Sequence, residues 1–329
     1  MHKRSTVVSQ QFPPALIALL VLLLGVSLIH ACSRDGHVPV STEFTDLKFA
    51  DPVLRRCVIR EATAQGWDTA GRMTELRCSN PESQQLRNLA GIENLVNLQT
   101  LDLAHNALTD IGILDHLPRL IHLDLGYNDI EQVSLDRVRV TLKWLNLHHN
   151  RISDISPLAM LKHLQHLSVS HNAVVNIDAI GELSELRSLN LRNNRIASIA
   201  PLASISRLQE LDLAGNQIED LGPLENQLNL TDLQLADNHI RDITALGYLR
   251  RLEKLNLANN EVVDVTPLGS ATDLLELDLS NNKISSVGPL EGLGEIEEIV
   301  IDGNPLTCEE LEKLRHVLGT DVIERSCPP

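Results

Sequence analysis

Residues 142–161 read LKWLNLHHNRISDISPLAML, and their spacing decides the fold. Leu142, Leu145, Leu147, Asn150, Ile152, Ile155, Leu158 and Leu161 stand at fixed offsets, with Pro157 before Leu158. The same frame returns at Asn106, Asn128, Asn150, Asn172, Asn194, Asn216, Asn238, Asn260, Asn282 and Asn304, always 22 residues apart. Fixed self-similarity at this period is the mark of a solenoid, in which each unit packs mainly on its neighbours. Leu145 and Leu147 alternate as the inward residues of a short strand, and Ile152, Ile155, Leu158 and Leu161 form a return arm. Pro157, Pro201, Pro223, Pro267 and Pro289 recur in that arm. A proline lacks an amide donor and breaks regular helix, so the arms are expected to be 3₁₀ or extended turns. The asparagine sits where the strand turns away and backbone groups are buried without ladder partners. Its amide donates and accepts, so a stacked internal ladder is expected rather than ten ligand sites.

Two arms depart from the frame. After Asn128 the arm runs Val133, Leu135, Val138 and Val140, with Asp136 and Arg139 in leucine positions, and Gln227 takes another such position. These arms are expected to be irregular or locally wet. A less regular unit begins at Met73, Leu76 and Cys78, and its arm, Leu86, Leu89, Ile92 and Leu95, comes into phase after a three-residue insertion.

The LxxLxLxxNxIxxIxPLxxL frame resembles the leucine-rich repeat superfamily, in its 22-residue subclass. Bacterial internalins and the leucine-rich regulatory subunit of protein phosphatase 1 share that subclass, and the resemblance covers about residues 45–329. It implies an α/β solenoid: a curved right-handed superhelix with a parallel concave sheet, short convex arms and helical caps at both ends. It says little about function, which in such scaffolds lies in variable surface positions.

The expected organisation is a signal peptide at 1–31, a polar tether at 32–44, an N-terminal helical cap at 45–72, repeats at 73–305 and a C-terminal cap at 306–329. Lys3 and Arg4 precede an apolar run from Ala15 to Ile29, too short for a membrane span and suited to a signal peptide. Ile29-His30-Ala31-Cys32 resembles a bacterial lipobox, with His30 as its departure; the match makes Cys32 the lipidated N-terminus. An ordinary cleaved signal or an uncleaved anchor is the alternative. Ser33 after the cysteine resembles the outer-membrane sorting pattern of a Gram-negative cell. Removing the basic pair takes the net charge from −16 to −18, the wrong sign for a nucleic-acid partner.

Setting Cys32 aside leaves four cysteines, Cys57 and Cys78 near one end and Cys308 and Cys327 near the other. Pairing within each end would staple both caps in an oxidising compartment, while reduced buried thiols are the alternative. No CxxC spacing marks a zinc site. Asp51-Pro52 starts one cap helix, with Val53, Leu54, Cys57 and Val58 inward. Thr307 and Glu310 read as a capping box for the other, with Leu311, Leu314, Val317 and Leu318 inward and Gly319 as its stop.

The period assigns surface columns. Residues four before each asparagine form a polar, acid-biased column, Asp102, Asp124, Asn146, Ser168, Asn190, Asp212, Gln234, Asn256, Asp278 and Val300, read as a solvated sheet face. Residues six before it begin Thr100, His122, Trp144 and His166, and residues just before it begin His105, Tyr127, His149 and His171, with His148 alongside. Eight of the thirteen histidines fall between residues 105 and 171. Amphipathic rings in rows suit a recognition patch, aromatic platforms suit sugar rings, and imidazole rows suit a transition metal; unconstrained drift is the plain alternative. Further along, Glu210, Asp212, Asp232, Asp237, Glu276, Asp278, Glu298 and Asp302 make the face acidic, broken by Arg192, Arg195 and Lys254. Catalytic signatures are missing: there is no GxSxG elbow, P-loop, HExxH or dinucleotide fingerprint.

The expected function is therefore non-catalytic and cofactor-free: a lipid-anchored protein of a bacterial cell envelope. It would bind a protein or surface glycan through His105, His122, Tyr127, Trp144, His148, His149, His166 and His171. The alternatives are an intracellular regulatory subunit like the phosphatase relative and a structural envelope protein without a ligand.

Overall fold

The computed structural model describes residues 44, 46–79, 85–135 and 138–319. Eleven three-residue strands, β1 (Glu75–Arg77) through β11 (Glu298–Val300), pair in sequence order into one parallel sheet. Register advances by one repeat at every step, so Leu123, Leu145 and Leu167 stand side by side. Each strand but the last leads into a short 3₁₀ turn on the return side, Ser156–Met160 in the unit quoted above. Pro157, Pro201, Pro223, Pro267 and Pro289 all enter such turns in the first two positions, where no intrahelical amide is lost.

The apolar frame fills the space between sheet and arms. Leu142, Leu145, Leu147, Ile152, Ile155, Leu158 and Leu161 are all buried, as are their apolar equivalents among the described residues. Among the described residues no helix is long and apolar enough to cross a membrane.

The asparagine ladder is internal, as its position demanded. Asn150 Nδ2 donates to the carbonyls of Leu147 and, one unit back, Leu125, both at 3.0 Å, while its Oδ1 accepts from Ile130 N at 3.0 Å. The pattern repeats from Asn106 to Asn304. Each side chain therefore ties two consecutive turns.

Helix α1 (Pro52–Gln65) covers the N-terminal end, with Asp51 Oδ1 accepting from Val53 N at 2.8 Å. Leu54, Cys57 and Val58 face the core, and Cys57 is disulfide-bonded to Cys78. Helix α2 (Cys308–Leu318) covers the other end. Two details there differ from expectation. Glu310 does not close a capping box: its Oε2 accepts from Ser286 Oγ at 3.0 Å and Val287 N at 3.1 Å, docking the helix on the last repeat. Val317 is half exposed, and Leu311 and Leu314 supply the buried face. Cys308 is exposed at the first helical position; Cys327, its expected partner, lies outside the described residues, as do Cys32 and the segments 1–31 and 32–43.

The irregular arms behave differently from each other. The arm after Asn128 keeps only a short 3₁₀ turn, Val138–Val140. Gln227 is fully buried, donating from Nε2 to the carbonyls of Leu202 and Ile205, while its Oε1 is buried without a partner among the described residues.

The acid-biased column is partly exposed and also bonded to its own backbone. Asp102, Asp124, Asn146, Asn190, Asp212, Asn256 and Asp278 each accept, through Oδ1, from the amide two residues on. These Asx bonds end each strand where its ladder stops.

Candidate binding site on the rim of the sheet

The residue before each asparagine is where the backbone turns under the sheet edge, and its φ is positive throughout. His105, Tyr127, His149 and His171 have φ of 56, 53, 52 and 55°, and Asn193, Gly215, Asp237, Asn259, Asn281 and Gly303 continue the series. Glycine pays nothing for this conformation, and Asn, Asp and His tolerate it best among the rest. The histidines of this column thus answer a backbone requirement that the sequence reading overlooked; the signal was present in the glycines and asparagines of the same column. Tyr127 has no such excuse, and its ring is 41% exposed on the rim.

Tight 22-residue spacing then stacks the side chains. His105 lies on Tyr127 with ring centroids 4.3 Å apart, Tyr127 on His149 at 4.2 Å and His149 on His171 at 3.9 Å, the planes within 13° of parallel. Asn193 Nδ2 continues the column 3.2 Å from His171 Nε2. His148, one residue inward, meets Tyr127 edge-on at 4.7 Å. Its Nδ1–H donates to Asn146 Oδ1 at 2.6 Å, and Asn146 Nδ2 donates to Asp124 at 3.0 Å. That chain fixes the His148 tautomer and leaves Nε2 as its acceptor. Asn146 was missed as a positioning residue, although it falls in the Asp/Asn column.

His122, Trp144 and His166 form a second set. They stand side by side on β3 (His122–Asp124), β4 (Trp144–Asn146) and β5 (His166–Ser168), on the open face of the sheet. No ring contact joins them to the rim column among the described residues. The eight candidate residues therefore divide into five on the rim and three on the sheet.

Burial holds the pKa of His148 and His149 below the usual histidine value, and repulsion from His105 and His171 adds to it. Burial lowers His122 too, helped by His166 and Lys143. Burial raises Asp124 above the ordinary carboxylate range, against the hydrogen bonds it accepts from Gly126 N and Asn146. The stacked rings are poorly arranged for chelation. Imidazole lone pairs lie in the ring plane, and parallel planes do not aim two of them at one ion roughly 2.0–2.1 Å from each. Among the described residues no group of three metal-ligating side chains converges.

Beside the column runs an open groove of about 520 Å³, lined by Gln85, His105, Tyr127, His149, His171, Asp129 and Arg151. Arg151 Nη2 donates to Asp129 Oδ1 at 2.6 Å. Neither charged residue was singled out from sequence, since each directly follows a ladder asparagine and carries no motif.

Leucine-rich repeat family models match residues 96–137, 184–226 and 228–270 as paired repeats, and 140–196 and 270–288 as further repeats. The chain belongs to the leucine-rich repeat proteins. An internalin (inlF) of Listeria monocytogenes is similar at 27% identity, over 87% of this chain and 98% of that one, with a TM-score of 0.60. A leucine-rich repeat protein of Leptospira interrogans is similar at 26% identity, over 78% and 73% of the two chains, with a TM-score of 0.65. The ectodomain of an Arabidopsis thaliana receptor kinase, solved in complex with Casparian strip integrity factor 2, shares the fold at 22% identity and a TM-score of 0.58, over 66% of this chain and 31% of that one. No curated protein matches this leucine-rich repeat chain significantly. Proteins of this family generally mediate protein–protein binding.

Proposed function

We propose that this leucine-rich repeat protein is a non-catalytic binding protein of a bacterial cell envelope, with its partner docking along the rim column and the adjoining open sheet. The observation carrying this reading is the stack His105–Tyr127–His149–His171, four rings along one solvent-facing edge with a groove beside them. Rings on an open edge supply anchoring area at low cost in side-chain entropy. A protein partner suits the geometry better than a glycan, because each inner ring has both faces covered by its neighbours and cannot stack on a sugar. Trp144 and the flanking histidines His122 and His166 extend the contact surface across the sheet.

Segment 1–31 is proposed to be a lipoprotein signal, with Cys32 carrying the lipid and 32–44 spanning to the cap of residues 45–72. The internalin likeness supports a surface setting, and the Cys57–Cys78 disulfide suits an oxidising compartment.

A photocrosslinking residue at position 127 or 144 in intact cells is expected to capture one protein, and Tyr127→Ala with Trp144→Ala to abolish its retention. Unchanged retention by that double variant rejects the surface. Palmitate labelling lost in Cys32→Ser is the expected result for the anchor; labelling that persists refutes it.

A further inference from the structure

Because the rings of the rim column cover one another, what they offer a partner is edges. The edge of an aromatic ring is the positive end of its quadrupole, and imidazole and phenol edges carry N–H and O–H donors. His105, Tyr127, His149 and His171 thus form a row of ring edges about 4 Å apart along the groove, each carrying at least one N–H or O–H donor. Arg151 lines the same groove. One of its five N–H donors is engaged by Asp129, and the fork retains others.

We infer that this groove takes a carboxylate-bearing polypeptide segment, an acidic loop or strand of a partner protein, and binds it with uptake of protons. The inference rests on the rim being a binding surface and adds the chemistry of what binds there.

The charges around the column favour this ligand. Asp124 acts on His105, but its carboxylate already accepts from Gly126 N and Asn146 Nδ2. Asp212 acts on His171, and it is occupied by Ala214 N and faced by Arg192. Asp129 is held by Arg151. The acids near the column are therefore committed to the protein's own groups. Burial, with repulsion from His105 and His171 added to it, disfavours a proton on His148 and His149 in the unliganded column. A carboxylate laid along the edges removes that repulsion, so the bound state holds more protons than the free state and affinity must rise as pH falls through the histidine range. Glu210 and Glu298 on the C-terminal half of the sheet face repel the same ligand, while Glu276 is paired with Lys254, and this favours the N-terminal half for an acidic segment.

The test is direct binding of a fluorescent peptide of Asp and Gly residues to the purified chain at about pH 7.5 and about pH 5.5; aspartate, with a usual pKa of about 3.9, stays ionised at both. Affinity is expected to rise by up to about tenfold per pH unit for each proton taken up. His149→Asn with His171→Asn should weaken that pH dependence without unfolding the chain, because asparagine already occupies this column at 193, 259 and 281. Arg151→Gln should weaken binding at both pH values. Equal affinity at the two pH values, equal binding of a Lys–Gly peptide, or indifference to the histidine variants overturns the inference. If the Asp peptide fails to bind while crosslinking from position 127 still captures a protein, the acidic-segment inference falls and the binding surface stands.

Discussion

The imidazole of His148 occupies the space beside Gly126 that a side chain would need: a β-carbon there would overlap the ring at Cε1 and Nδ1. Other units place alanine or serine at this column, as at Ala104, Ser170 and Ala214, where the next unit carries no large ring. Gly126→Ala is therefore expected to push His148 off Asn146 and Tyr127 and to cost about 1–3 kcal/mol by overpacking. Urea unfolding of Gly126→Ala, His148→Ser and the double variant measures it. The double variant should recover most of the loss, and additive losses would show that the two residues do not compete for space.

Asn216→Ala removes four hydrogen bonds at once. Asn216 Nδ2 serves the carbonyls of Leu191, Leu213 and Ala214, and its Oδ1 accepts from Ile196 N. Buried groups left without partners cost about 1–3 kcal/mol each, so a loss above about 2 kcal/mol is expected. His149→Asn, one residue from a ladder asparagine, should by contrast leave the unfolding midpoint nearly unchanged.

Gln227→Leu restores the repeat consensus and is nonetheless expected to destabilise. Ile205 ends its arm with ψ of 152°, where Leu161, Leu183 and Leu249 have 57, 65 and 66°. That rotation aims the Ile205 carbonyl at Gln227 Nε2. Leucine would orphan a buried acceptor at a cost of about 1–3 kcal/mol. A raised midpoint would mean that Ile205 turns back to the conformation of its equivalents.

Acid should loosen the fold before the carboxylates titrate. His122, His148 and His149 bind protons less readily when folded than when unfolded. The stability carried by their neutral forms is complete above the unfolded value of 6.5 and declines as pH falls through it toward their lower folded values. Asp102, Asp124, Asp212 and Asp232 have raised values and act in the opposite sense at lower pH, where their protonation relieves buried charge. The urea midpoint is expected to drop between about pH 7.5 and about pH 5.5, and His148→Ser to flatten that drop. A midpoint constant across this range would contradict the assignment.

The Cys57–Cys78 bridge ties α1 to the end of β1 across 21 residues of sequence. Cys57→Ala with Cys78→Ala is expected to cost about 3 kcal/mol, through a freer unfolded chain. Protection of the α1 amides against hydrogen exchange should fall, while that of the strands from β4 to Glu276–Asp278 should hold, since each repeat is supported by its neighbours.

Much of the molecule was legible in advance because one unit repeats without slippage. Leu145 and Leu147 predict their buried equivalents in every strand, and Asp51 and Thr307 mark helix starts that the backbone then adopts. The candidate site was legible only as columns. Spacing could put Tyr127 next to His149, but it could not say that the rings lie face to face, because that follows from a left-handed turn residue whose Cα–Cβ direction the strand pattern does not predict. The Asp/Asn column lies on the outward side that alternation predicts, but each short Asx side chain also bends back to a backbone amide two residues ahead, which a strand pattern does not state.

The period, the parallel register, the buried frame and the internal place of the asparagines all follow from residue spacing, because they depend on burial and hydrogen-bond demand repeated at fixed intervals. The tertiary structure decided which side chains meet across units: the ring stack, the His148–Gly126 contact, the Gln227–Ile205 bond and the docking of Glu310 on the last repeat. Those contacts depend on the backbone angles of two neighbouring turns together, and no single unit of sequence contains them.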